Sequence, residues 1–189
     1  MYRGRPGVSP TLAALLALDE VRPTDRVLEV GCGDARELAL LAEWGFRSLT
    51  GVERDREELR RARLRVTKRG LASRVRLLEG EAADLDGVLG RETFDVALDN
   101  LLLNNLAEGE EDAYVRGVAR HLRKGGLFVV HCRIDAQSEN RPPGAMRPPE
   151  GLARRFRVGP SIQTHLPELR QASNRRDYAL VATWIGRRR

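Results

Sequence analysis

The 189-residue sequence is poor in cysteine and lysine and has no long apolar run. Its two cysteines, Cys32 and Cys132, form neither a disulfide framework nor a zinc-ligand spacing. The apolar stretches 27–30 and 127–130 fall far short of the roughly 20 residues that a membrane span requires. The opening MYRGRPGVSP lacks the apolar core of a signal peptide. These absences lead to the expectation of a soluble, cytoplasmic protein with no membrane partner. Once its 18 glycines are counted, the apolar share is that of an ordinary globular domain, which excludes disorder. The length fits a single domain over 1–189.

Among 33 basic residues only Lys68 and Lys124 are lysine. From Ile134 onward there are 11 arginines against five acids, so the whole net charge of +6 lies in that segment. A basic tail can be a nucleic-acid footprint. With so extreme an arginine bias a GC-rich genome is a sufficient explanation, and it is the favoured reading.

Short apolar runs alternate with helical patterns, as in a parallel sheet with crossover helices. The spacing predicts strands over 26–30, 48–53, 75–79, 94–99 and 127–132. It predicts helices over 11–20, 34–44, 55–69, 84–89 and 110–122. The pattern then breaks at 135–149, where two Pro-Pro pairs and a glycine predict a long surface loop. A short helix over 150–156 and strands over 161–165 and 177–184 complete an α/β sandwich.

The segment VLEVGCGDAR carries the strongest signal. A strand enters a glycine turn and a helix leaves it, and Gly31 and Gly33 allow a ligand to press against the main chain. A dinucleotide fingerprint would need glycine at position 36, which is Arg36. Glu29, two residues before the turn, disfavours a phosphate and suits a cation such as an ammonium or sulfonium group. Glu53 ends the second strand twenty residues after Gly33, where a carboxylate can accept both hydroxyls of a ribose. It can equally be a solvated strand end or a partner for Arg54 or Arg56. After the third strand, Glu81 could accept the amine of adenine while the Ala82 N–H reaches a ring nitrogen. The alternative for this pair is a solvated turn.

The order Glu29-x-Gly31-x-Gly33, Glu53, Glu81-Ala82, FDVALD over 94–99 and LRKGGL over 122–127 resembles the class I S-adenosylmethionine-dependent methyltransferases. The resemblance covers about 27–130, and Ala35 stands where the family has a third glycine. It implies a Rossmann-like three-layer sandwich with helices on both faces of a mostly parallel seven-stranded sheet. The implied order is 3-2-1-4-5-7-6, with strand 7 antiparallel. It implies S-adenosyl-L-methionine as cofactor, bound by a half spanning about 24–133, while about 134–189 shapes the substrate pocket. On that template Glu29 organises the methionine end, where Asp99 also lies. Gly31, Cys32 and Gly33 approach the cofactor, Glu53 and Arg54 flank the ribose, and Glu81 with Ala82 reads adenine. The run FDVALDNLLLNNL and the cysteine after strand five are similar to the thiopurine, thiol and tellurite methyltransferase-like branch. That branch often has His-His where this chain has Asn104-Asn105. Strands 1 and 5 would be separated by strand 4, placing the two cysteine Cα atoms about 9.6 Å apart, beyond disulfide reach.

For methyl transfer, the expected catalytic residues are Asp99 and Asn100 at the end of strand four and His131 at the end of strand five, the latter as general base. Asn104 and His165 are the expected substrate contacts. Each has a plainer alternative: turn and cap chemistry for the asparagines, and simple packing for the histidines. Strand four runs into Asp99-Asn100-Leu101-Leu102 without the Asn-Pro-Pro-aromatic run of adenine and glutamine amino-methylating enzymes. A small-molecule acceptor is therefore expected. One alternative is an RNA methyltransferase using the arginine-rich segment that includes Arg154, Arg155, Arg175, Arg176 and Arg187. Another is a cofactor-binding scaffold without catalysis.

Overall fold

The computed structural model describes residues 15, 21–107, 110–134, 156–158, 162–167 and 178–188. The loop expected over 135–149 lies outside them, as does the helix expected over 11–20 apart from Leu15, which is helical and fully buried.

Five strands, β1 (Arg26–Val30), β2 (Ser48–Glu53), β3 (Val75–Glu79), β4 (Phe94–Asn100) and β5 (Leu122–Ile134), pair in parallel in the order β3-β2-β1-β4-β5. Beside β5 runs β8 (Tyr178–Arg188), antiparallel. The edge position is shared by β6 (Phe156–Val158) and β7 (Ile162–Pro167), which pair antiparallel with opposite ends of β8. The expected order therefore holds, except that two short strands stand where one was expected. Residue 156, expected to end a helix, begins β6 instead. Strand β5 also starts earlier than expected, at Leu122 opposite Phe94. The register then jumps so that Leu127 faces Val96, leaving the Arg123–Gly126 stretch as an irregularity within the strand.

Both faces of the sheet are covered, and side chains alternate between two cores. Val27, Leu49, Val96, Leu98 and Val129 join Leu15, α1 (Arg36–Glu43) and α2 (Arg56–Lys68) on one face. Leu28, Val30, Val52, Ala97, Phe128 and Val130 join α3 (Leu85–Leu89) and α4 (Glu110–His121) on the other. Helix α2 is long and highly charged, and it is held at its start by Asp55, whose carboxylate accepts the N–H groups of Glu57 and Glu58 at 2.8 and 3.0 Å. Its first turn is acidic and its last turn basic, complementing the helix dipole. His121, in the last turn of α4, is buried. Its ring nitrogens lie 2.8 Å from the Glu92 carbonyl and 3.0 Å from Asp86 Oδ1. No described helix is long and apolar enough to cross a membrane.

Gly51, in the middle of β2, lets α1 and the turn after β1 settle onto the sheet. A Cβ there would stand 2.6 Å from Cys32 Sγ and 2.7 Å from Leu38 Cδ1. Overpacking of this kind typically costs 1–3 kcal/mol. We expect Gly51→Ala to lower stability by about that amount, read from the urea midpoint, with the m-value unchanged.

Candidate active site

Parallel pairing brings the carboxyl ends of β1 to β4 to one edge, where open α/β sheets form their ligand crevice. Here a cleft opens between them. Gly31 lines it from the turn after β1, Glu53 and Arg54 from β2 and its end, and Glu81 and Ala82 from the turn after β3. Asn100, Leu102 and Asn105 close it from the end of β4 and the segment that follows.

The turn after β1 is left-handed at Gly31 (φ 68°) and Gly33 (φ 51°). It remains left-handed at Ala35 (φ 57°), where the family has glycine. A Cβ at Gly31 would meet Leu102 Cδ1 at 2.9 Å, whereas one at Gly33 would meet nothing within 4 Å. Gly31 thus serves the packing of the turn against the β4 loop, and Gly33 faces open space. The turn's amides are already engaged. Those of Gly31 and Cys32 donate to the Val52 carbonyl, and that of Gly33 donates to Glu53 Oε2 at 2.9 Å. A site built for phosphate would leave these donors open.

Glu53 Oε1 accepts the Asp55 N–H at 2.9 Å, so the carboxylate ties the turn after β1 to the start of α2. Each oxygen keeps a second lone pair, which is what two ribose hydroxyls require. Glu81 and Arg54, both more than half exposed, form a long ion pair of 3.7 Å at the rim. Ala82, nearly buried, starts a one-turn 3-10 helix over Ala82–Asp84.

Cys32 sits differently from expectation. Its side chain is buried in the α1-side core against the position of Gly51, and burial, with Glu29 and Glu53 nearby, holds its thiol above the usual range. It shapes the turn from beneath and does not line the cleft.

Asp99, expected beside the reacting methyl, also lies behind the site. It is fully buried on the α4 side of the sheet. One oxygen accepts the Tyr114 hydroxyl at 2.9 Å, and the other accepts the N–H groups of Leu102 and Leu103 at 2.8 and 3.3 Å. The next residue but one, Leu101, has φ 69°, a conformation that costs a bulky side chain about 1–3 kcal/mol. Asp99 from one side, and the His131 carbonyl accepting the Leu101 N–H at 2.8 Å from the other, hold that strained corner. The corner presents Asn100 to the cleft. Asp99 thus braces the corner and does not line the cleft.

Asn100 is paired in register with His131, which is buried. Burial lowers the imidazole's proton affinity below its ordinary value, so it is neutral near pH 7. The Asn104 backbone lies in a 3-10 turn over Leu103–Asn105, and that of His165 in β7 opposite Leu180. Their side chains, and those of Arg154, Arg155, Arg175 and Arg176, lie outside the described residues. Arg187 is in β8, with its guanidinium donating to the Gly125 carbonyl at 2.9 Å.

Two buried polar groups complete the edge. Glu29 is almost fully buried below the turn, and its Oε2 has no hydrogen-bond partner among the described residues. Burial first, then Glu37, Asp99 and Asp34, push its carboxyl well above the usual range. Glu37, in the first turn of α1, escaped sequence reasoning. Its position on the buried side of an amphipathic helix, two residues past the turn's last left-handed position, was the available signal. Among the described residues there is no cluster suited to a metal ion.

A glycine turn after the first strand of a doubly wound sheet, with acidic ends on its neighbours, defines a Rossmann-like α/β protein with its crevice at the strands' carboxyl ends. A family model described as a methyltransferase domain matches residues 27–126, just over half of the chain. The cypemycin N-terminal methyltransferase of a Streptomyces species is 31% identical over 138 residues, 69% of this chain and 51% of that protein. The protein-L-isoaspartate O-methyltransferase of Bordetella avium (strain 197N) is 39% identical over 105 residues, 50% of this chain and 38% of that one. The chain thus spans about half the length, or less, of these curated relatives. The crystal structure of TehB from Haemophilus influenzae superposes with a TM-score of 0.73 over 98% of this chain and 64% of that one. At 11% identity that likeness shows the fold alone. The chain belongs to the methyltransferase-domain family, among the class I S-adenosylmethionine-dependent methyltransferases.

Burial pushes the Asp99 carboxyl up to about 7, even though the Tyr114 hydroxyl and two backbone amides pull it down. The folded state therefore holds a proton that the unfolded chain gives up near 3.8, and this group's stabilisation is lost as pH rises through about 7. The Tyr114 hydroxyl favours the ionised carboxylate. We expect Tyr114→Phe to cost about 1–3 kcal/mol at pH 8 and clearly less at pH 5, measured by denaturant unfolding at both pH values.

Proposed function

We propose that the chain binds S-adenosyl-L-methionine along the cleft and transfers its methyl group to a small-molecule acceptor. The observation that carries this reading is the convergence of Gly31, Glu53, Glu81–Ala82 and Asn100, from four strand ends, on one opening. The residues present suit the cofactor. Glu29 offers, near the methionine end, a buried oxygen with no hydrogen-bond partner among the described residues. Gly33 leaves room against the main chain. The lone pairs of Glu53 fit ribose hydroxyls, and the β3 turn stands where adenine would be read.

When bound, the cofactor supplies a methyl group already activated on sulfonium, for in-line displacement without a covalent enzyme intermediate. The protein's task is to align the acceptor and exclude water. Asn100, set by the Leu101 corner, is the polar side chain nearest that task. His131, neutral and one strand away, is the general base for an acceptor that must lose a proton, whereas an ionised thiol needs none. Asn104 and His165 are the proposed acceptor contacts, with 134–189 shaping the acceptor pocket. The relatives are named as an N-terminal and an isoaspartate O-methyltransferase, so likeness does not choose the acceptor atom.

Calorimetric titration of S-adenosylhomocysteine tests the cofactor assignment. We expect Glu53→Ala to weaken binding by about 1–3 kcal/mol, the cost of leaving ribose hydroxyls without their acceptor. Absence of binding to folded wild-type protein would overturn the reading. The acceptor screen begins with thiols and other small nucleophiles. RNA is the control, and methylation of RNA that weakens steeply with salt would replace the small-molecule reading.

A further inference from the structure

A second cleft, of about 260 Å³, opens at the other edge of the sheet, around the amino ends of β1, β2 and β3. Ser48 lines it at the start of β2, whereas Glu53, at the end of the same strand, lines the first cleft. The rise of about 3.3 Å per residue along that strand separates the two by about 16 Å. Four arginines line the second cleft, Arg26, Arg47, Arg74 and Arg76, against the single acid Glu92, which leaves its lining with a net charge of +3.

Three of these guanidinium groups are fixed in place while most of their donors stay open. Arg26 Nη2 donates to Glu92 Oε2 at 2.8 Å and Arg76 Nη2 to Glu92 Oε1 at 2.7 Å, so one carboxylate anchors two forks. The Arg26 guanidinium also lies over the Phe94 ring, 5.2 Å from its centroid. Arg74 Nη1 donates to the Ala42 carbonyl at 2.8 Å. A guanidinium has five N–H donors, and these bonds occupy one on each group. Arg47 is exposed, and its guanidinium has no hydrogen bond or ion pair among the described residues. The nearby acids Asp95 and Asp25 do not line the cleft. Asp95 accepts the Arg26 N–H and pairs with Arg123, and Asp25 accepts the Arg22 N–H.

We propose that this cleft binds the diphosphate or triphosphate group of a small molecule, at a site separate from methyl transfer. Planar guanidinium forks with open N–H groups match phosphate oxygens in bidentate geometry. Four cations gathered around one acid repel one another, and a multiply charged anion relieves that repulsion. The hydroxyls of Ser48 and Ser73, also on the lining, add neutral donors. The volume falls just below the roughly 300 Å³ at which ordinary ligand pockets begin, so it suits a compact anion whose attached group stays in solvent. No aromatic side chain is among the described lining residues, so the cleft lacks the stacking platform that single-stranded nucleic acids use. A ligand held a strand's length from the first cleft is not a methyl acceptor there, because displacement needs contact with the methyl group.

The test is calorimetry of the whole chain with inorganic pyrophosphate, inorganic triphosphate, uridine triphosphate and a short single-stranded RNA, at one ionic strength held with sodium chloride. We expect saturable binding of a phosphate chain, weakened about tenfold or more by Arg47→Glu, which removes charge-assisted hydrogen bonds and adds a like charge. Arg47→Gln is the milder second variant and should weaken binding in the same direction. Neither change should move the urea midpoint or the binding of S-adenosylhomocysteine, and Glu53→Ala should leave phosphate binding as it is. Similar binding of inorganic and uridine triphosphate identifies the ligand as a nucleotide's phosphate chain with its nucleoside in solvent, and binding of the inorganic forms alone identifies a free anion. Either result supports the site. Absence of saturable binding by all three phosphate probes overturns the proposal, as does binding that both Arg47 variants leave unchanged. RNA binding through Arg47 without binding of the phosphate chains also overturns it and makes this edge a nucleic-acid surface. Because the site does not involve the first cleft, failure of S-adenosylhomocysteine to bind would overturn the cofactor reading and leave this proposal standing.

Discussion

The carboxylate of Glu53 accepts one N–H from each side of the cleft, Gly33 from the turn after β1 and Asp55 from the start of α2. That double contact fixes the distance between the first and second strand ends. The rest of the site inherits its geometry from there. With the Gly31 and Cys32 amides held by the Val52 carbonyl, the turn cannot swing away from β2. Gly31 then packs against Leu102, and so the turn sets where the β4 corner sits. Three loops from three strands are held in one arrangement by a few hydrogen bonds and one close apolar contact.

The same edge concentrates buried polar groups. Glu29, Glu37, Asp99 and His131 are all nearly or fully buried, and each would be cheaper to fold as an apolar residue. They fall into two sets on opposite faces of the sheet. Asp99 is satisfied within the fold, by Tyr114 and two backbone amides, and its work is to hold a strained corner. Glu29 has an oxygen that no described residue satisfies. A polar group fully paired inside the protein points to architecture, and one left unpaired beside a cleft points to a ligand. This difference separates two acids that look alike in sequence.

The fold itself says little about the acceptor. One α/β architecture of this kind hosts many unrelated chemistries. In this chain, β6 and β7 divide the edge along β8, and the chain leaves β4 through the left-handed Leu101.

The sequence by itself determined the alternation of strands and helices, the parallel sheet and the turn residues at the cleft. These are local properties. Apolar runs of strand length, glycines where φ must be positive and acids at strand ends are written in consecutive residues, and β1, β2 and β3 begin and end where their patterns do. Only the tertiary structure decided which polar side chains line the cleft and which lie behind it. Asp99 and Asn100 are neighbours in the chain, but a strand sends them to opposite faces, one to Tyr114 and the other to the cleft. Cys32 sits inside the glycine motif, yet its side chain turns into the core that Gly51 leaves room for. Glu37 is eight residues from Glu29 and on a different element, and only the packing of α1 onto the sheet buries both. Burial and partnership arise between elements, so the acidity and role of these side chains follow from the packed sheet and helices.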